Sequence, residues 1–215
     1  METETPAQNP KPRERLRHGL LWGVLIVVIV GIVGANIWSP HHQDSGDDTE
    51  PDLSVHHQVP DFSLIDQRGA LVTPSDLRGK IWVVDFIFTR CVAACPLMTD
   101  KMKKLQEEFA ESGVYFVSVS VDPEYDTPDV LFQYANRFGV DGNTWLFLTG
   151  EKENIYHLTQ DGFGLAIGQQ ESEVLHSARF VLVDHRGQIR GYYDSNEDEA
   201  LQKLRRDIPQ LLIES

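Results

Sequence analysis

Two cysteines, Cys91 and Cys95, are the only ones in this 215-residue chain, and they stand four positions apart in Phe88-Thr89-Arg90-Cys91-Val92-Ala93-Ala94-Cys95-Pro96. The apolar run before them and Pro96 after them place the pair where a strand gives way to a helix. A thiol at a helix N-terminus lies against unpaired backbone N–H groups, whose partial positive charge favours the thiolate. Thiolates attack disulfides and bind soft metals, so the pair predicts thiol chemistry or a metal site. The spacing is compatible with a disulfide or with two thiolates on one ion, and it leaves both open.

A third group for such a site is sought among eight histidines. His18 precedes a long apolar run, His41, His42, His56 and His57 lie in an acidic stretch, His157 falls inside a predicted helix and His185 in a predicted turn. His176 follows a long predicted loop and directly precedes a predicted strand, Arg179 to Val183, in the region that the order of strands and helices brings beside the cysteine helix. A lone histidine is more often structural than a ligand; the two cysteines expected nearby make His176 the leading candidate.

The elements that must position these groups are legible as periodicity. Val59 to Ile65 and Ala70 to Val72 flank Asp66-Gln67-Arg68-Gly69 as a hairpin, and Thr73 to Leu77 reads as a helical turn. Ile81 to Phe88 is nearly all apolar, the habit of a parallel strand buried on both faces. Pro96 is expected to open a helix on which Leu97, Met102, Leu105 and Phe109 recur until Ser112-Gly113 stops it. A strand over 114–121, a helix over 127–138, a short strand over 145–148 and a helix over 151–160 follow. Residues 161–175 read as a long loop, 179–183 and 188–193 as a hairpin, and 197–212 as a closing helix. This is an α/β, thioredoxin-like order with an N-terminal hairpin and a middle insertion. Asp122 falls at the C-terminal end of the second parallel strand, the edge where open α/β sheets place their sites, although a turn before Pro123 explains it equally. Asp126-Thr127-Pro128 reads as a helix start.

Ahead of this domain, residues 19–38 contain no charged side chain and as a helix would span about 30 Å, one hydrocarbon core. Trp22 and Trp38 lie near its ends, and Lys11, Arg13, Arg15 and Arg17 precede it, so the positive-inside rule keeps residues 1–18 cytoplasmic. A cleaved signal peptide is the rival reading, but the apolar run exceeds the roughly 7 to 15 residues of such segments. The N-terminal residues include Glu2, Glu4 and Glu14, unlike a mitochondrial transit peptide. The expectation is a single-pass anchor in a bacterial inner membrane, a flexible acidic tether over 39–58, and a periplasmic domain over 59–215. In that compartment two cysteines are ordinarily a structural disulfide, yet a loop this short staples little chain. The formal net charge of −14 argues against nucleic-acid binding and suits cationic partners or metal ions.

The segments 88–96, Val119-Ser120-Val121-Asp122-Pro123-Glu124-Tyr125-Asp126-Thr127-Pro128 and His176-Ser177-Ala178-Arg179-Phe180-Val181-Leu182-Val183-Asp184 together resemble the Sco/SenC family of membrane-anchored copper chaperones for cytochrome c oxidase. The resemblance covers residues 59 to 212. It implies a thioredoxin-like fold, copper as Cu(I) or Cu(II) held by Cys91, Cys95 and His176, and a role for Asp122 in copper transfer or partner contact. It also implies cytochrome c oxidase subunit II, at its CuA site, as partner, with an upstream copper donor or thiol reductant. Val92 stands where the family commonly has proline after the first cysteine, a change that leaves the ligands intact and bears on loop stiffness and redox potential. The chemistry agrees, because thiolates suit Cu(I) and imidazole suits either state. A periplasmic thiol–disulfide oxidoreductase working through Cys91 and Cys95 is the alternative, and a peroxiredoxin-like peroxidase a third. Redox enzymes of this fold generally carry a cis-proline facing the cysteines, and residues 174–180 contain no proline, which favours the metal site. His41-His42 and His56-His57 raise a weak second metal site.

Overall fold

In this computed structural model, which describes residues 53–165 and 178–214, the periodic segments become seven strands and five helices. A hairpin of β1 (Leu64–Asp66) and β2 (Leu71–Val72) leads through a single turn, α1 (Pro74–Leu77), into β3 (Trp82–Ile87). Then come α2 (Ala94–Glu108), β4 (Tyr115–Ser120), α3 (Pro128–Phe138), β5 (Trp145–Thr149) and α4 (Lys152–His157), which runs into a π-helical turn over Leu158–Gly162. The hairpin β6 (Arg179–Val183) and β7 (Ile189–Asp194) and the helix α5 (Asp198–Glu214) complete the order.

The strands form one sheet in the order β2-β1-β5-β4-β3-β6-β7. The three central strands β5, β4 and β3 are parallel, while β6 is antiparallel to β3 and β1 antiparallel to β5. Helices cover both faces, which is why β3 is buried at all six positions and reads as a continuous apolar run. Its side chains alternate between two cores. Val83 and Ile87 pack with Met98, Met102, Leu105, Phe116 and Phe180, whereas Trp82, Val84 and Phe86 pack with Phe163, Val117 and Val181 on the other face. Helix α3 opens with Thr127 Oγ1 accepting the Val130 N–H at 3.4 Å and Pro128 in its first turn. It stops at Gly139, whose φ of 62° is the left-handed conformation glycine tolerates best.

Two boundaries differ from expectation. Residues 53–58, read as the end of a flexible tether, are docked on the domain. Leu53 is buried, the His56 N–H donates to the Ile189 carbonyl, the Ile189 N–H donates to His57, and Gln58 bridges Gln188. These bonds are made by backbone to the edge strand β7, so side-chain polarity gave no sign of them. The cysteine helix starts at Ala94, two residues before Pro96. Proline still sits in the first turn, where its missing N–H breaks no intrahelical bond. No helix among the described residues is long and apolar enough to cross a membrane. The expected anchor over 19–38, His41 and His42, and His176 lie outside the described residues.

Candidate metal and thiol centre

Because β3 and β4 run parallel, the loops leaving their C-terminal ends, residues 88–93 and 121–127, lie side by side. The first loop carries Cys91. A turn closed by the Cys91 N–H on the Phe88 carbonyl, at 3.2 Å, folds the sulfur back beneath the start of α2. Both cysteines are free thiols and both are buried, Cys91 8% and Cys95 4% exposed, while Val92 between them is 96% exposed. The sulfurs therefore sit just under the surface at the tip of the cysteine loop.

Ala93, the residue flanking α2, has no side chain able to cap it. Cys91 caps the helix instead, with the Cys95 N–H pointing at Cys91 Sγ at 3.3 Å. Burial, the largest single influence on Cys91, raises its pKa. The Cys95 and Ala93 N–H groups, the Cys95 thiol and the Ala94 N–H together outweigh burial and hold it below the ordinary thiol value. Cys95 goes the other way. Burial pushes it up to about 12, partly offset by the Phe88 backbone and reinforced by Cys91 and Asp85. Cys91 thus ionises more readily than Cys95, whose proton burial holds in place.

The second loop touches the first through two aspartates. Asp122 accepts from Arg90 Nε at 3.0 Å and Nη2 at 2.7 Å, and the same guanidinium lies over the Tyr125 ring. Asp122 is thus placed beside the cysteine loop, as its position at the strand end predicts. Asp126 is wholly buried. It accepts the Thr89 N–H at 3.0 Å, the Thr89 hydroxyl, and the Ser120 hydroxyl at 2.5 Å. Reading residues 126–128 only as a helix start missed this. Thr127 does cap α3, while Asp126 reaches across to the loop before Cys91. The signal available in sequence was an aspartate placed one residue ahead of a good cap, where the cap has no need of it.

Beneath the cysteine helix lies a third aspartate that sequence reading passed over. Asp85, between Val83 and Ile87 on β3, is fully buried with no hydrogen-bond partner for either oxygen. Ser118, its register partner on β4, accepts from Trp145 Nε1, and its own hydroxyl reaches the Asp85 carboxyl without a hydrogen bond of ordinary geometry. Burial raises the Asp85 pKa to about 7, against a weaker opposing pull from Ser118.

The donor set suits a soft ion: two adjacent sulfurs at one edge of the molecule, one already disposed to ionise. Among the described residues no cluster of three His, Cys, Asp or Glu side chains is placed to hold a metal, so Asp122 is not brought into a ligand set with the cysteines. His176 is not among those residues. Ala178, two positions along, is buried in the same core cluster as Cys91 and Cys95. The antiparallel register of β3 with β6 brings the start of β6 to the sheet end where β3 exits towards Cys91.

Comparison with known proteins gives one consistent answer. A SCO1 protein homolog of Bacillus subtilis is 31% identical over 159 residues, 72% of this chain and 82% of its own length. The solved structure of BsSco, described as a member of the Sco family of cytochrome c oxidase assembly proteins with a disulfide switch, matches with TM-score 0.66 and 30% identity, covering 73% of this chain and 94% of that one. ScoI of Arabidopsis thaliana with copper bound matches with TM-score 0.59 and 26% identity, over 70% of this chain and 99% of that one. The SCO1/SenC family model matches residues 51–211. With its thioredoxin-like sheet and its buried cysteine pair at a strand–helix junction, this chain belongs to the SCO1/SenC family.

Proposed function

We propose that this protein carries copper for the assembly of cytochrome c oxidase, holding the ion between Cys91, Cys95 and His176. The observation that carries the reading is the pair of free, buried thiols at the head of α2, with the Cys95 N–H on the Cys91 sulfur. Two sulfurs and one nitrogen make a three-coordinate site that binds Cu(I) and leaves room for an acceptor's ligand to enter. Copper-bound ScoI of Arabidopsis thaliana, a relative above a quarter identical, supports copper as the cargo. The family role of BsSco supports oxidase assembly, and we take subunit II and its CuA site as the acceptor. Oxidation of the pair to a disulfide removes both thiolate ligands, so loading depends on thiol redox state. The apolar run over 19–38, with its basic N-terminal flank, supports a single-pass anchor that keeps the domain on the periplasmic side of a bacterial inner membrane.

A second reading, thiol–disulfide exchange, is favoured by the unequal cysteines. A lowered Cys91 and a raised Cys95 are the division of labour between an attacking and a resolving thiol. Copper titration of the reduced and oxidised full-length protein separates the two. Copper carriage predicts one equivalent on the reduced form, none on the disulfide form, and loss of tight Cu(I) binding in Cys91→Ser or Cys95→Ser. Reduction of a protein disulfide at an undiminished rate in His176→Ala, with no copper retained by the parent protein, selects exchange instead.

A further inference from the structure

Asp126 has no role in the ligand set, yet it is the most heavily bonded carboxylate at this end of the molecule. It sits 37 residues from Thr89 in sequence and takes both of that residue's donors, the backbone N–H and the hydroxyl. Its other bond is from Ser120, at the end of β4. Thr89 stands two residues before Cys91, inside the turn closed by the Cys91 N–H on Phe88. The chain from Phe88 to Cys91 is therefore pinned to the neighbouring loop from within at Thr89, and the position of the Cys91 sulfur depends on that buried pin. The outer contact between the same loops, Arg90 with Asp122, is half-exposed and correspondingly weak. The buried aspartate must do most of the holding.

We propose that Asp126 is a positioning residue for Cys91, fixing the Phe88–Cys91 turn so that the Cys91 sulfur is held at the N-terminus of α2 within reach of Cys95. What it sets is the effective concentration of one sulfur at the other, a geometric quantity that governs both disulfide closure and two-sulfur chelation. Asparagine at this position keeps the shape but removes the charge and replaces one acceptor oxygen with an NH2 group, so the Thr89 hydroxyl must turn from donor to acceptor and the charge-assisted bonds that hold the turn are lost. The inference rests on the thiol and copper reading of the cysteine pair, and its test separates the two.

The experiment equilibrates the full-length protein with glutathione, one glutathione disulfide and the dithiol giving the Cys91–Cys95 disulfide and two glutathione thiols, and reads the equilibrium by thiol trapping. Cu(I) affinity is measured in parallel by competition with a chromogenic chelator. In Asp126→Asn we expect the disulfide equilibrium constant to fall about tenfold, the size of one lost hydrogen bond to a charged group, with Cu(I) affinity falling alongside it. Thr89→Val, which keeps the N–H and loses the hydroxyl, should show a smaller drop, roughly threefold. Thr89→Ser, which keeps both groups, should restore parent values. Ile155→Ala, a loss of buried volume in the core on the far face of the sheet, supplies a matched fall in stability and should move neither constant. Parent-like equilibria in folded Asp126→Asn overturn the proposal, as does a shift of equal size in Ile155→Ala. Where Asp126→Asn fails to fold, an unchanged equilibrium in Thr89→Val overturns it. A parent protein that binds no Cu(I) sinks the copper reading alone, since the glutathione arm still decides the role of Asp126.

Discussion

Asp85 and Asp126 are both wholly buried beside the cysteine motif, and they live in opposite surroundings. Asp126 faces three donors in the seam between two loops, while Asp85 lies in the core close to the Cys95 thiol and the Tyr134 hydroxyl with neither oxygen bonded. The first surrounding turns a carboxylate into an anchor, because every donor that it satisfies belongs to a segment that would otherwise move. The second makes it a liability that destabilises the fold, because an ion without partners in the core keeps its proton instead. The same side chain thus stabilises one region and weakens the other, and burial alone does not tell which.

Substitutions should break this symmetry with opposite signs. Asp126→Ala strips three donors of their acceptor and leaves the Thr89 N–H and the Ser120 hydroxyl stranded, so it should cost on the order of 4 kcal/mol in denaturant unfolding. A loss under about 1 kcal/mol would mean that water replaces the carboxylate freely. Asp85→Asn should go the other way above neutral pH. Between the unfolded value of 3.8 and about 7 the folded protein holds a proton that the unfolded chain has released. Stability therefore falls as pH rises through that window, by roughly 4 kcal/mol in all, and the loss is complete above about 7. The asparagine variant should lack this slope and be the more stable protein at pH 8; an unaltered slope would show that another group produces it.

Smaller effects sharpen the same contrast between buried and exposed contacts. Thr127→Ala, removing the cap of α3, should lower stability by about 1 kcal/mol without disturbing the neighbouring Asp126 contacts. Asp122→Asn removes an ion pair whose arginine is 51% exposed, so the loss should stay under about 1 kcal/mol and shrink further in salt. A salt-insensitive loss of several kcal/mol would move Asp122 into the class of Asp126.

How much of this was written in the sequence depends on the range of the contact. The cysteine pair at a strand–helix junction, the buried central strand and the hairpin before the last helix are local patterns, and the structure has them. The start of α2 was displaced by two residues because its cap is a sulfur three residues outside the helix, which no capping rule anticipates. Residues 53–58 looked like tether because most of the bonds that dock them belong to the backbone, and the side chain on β7 that holds the Leu53 carbonyl, Arg190, lies far along the chain. Asp126 was hidden by distance: its partner at Thr89 becomes a neighbour only when β3 and β4 pair in parallel. Asp85 was visible as the single acid in an apolar strand, but only packing shows that it has no partner.

The central claim, that two sulfurs and one imidazole share a copper ion, is tested most directly by X-ray absorption at the copper edge on the reduced, Cu(I)-loaded full-length protein. The account predicts two sulfur neighbours and one nitrogen, with the nitrogen lost in His176→Ala and a sulfur lost in Cys95→Ser. A copper shell without sulfur, or one that His176→Ala leaves unchanged, would contradict it.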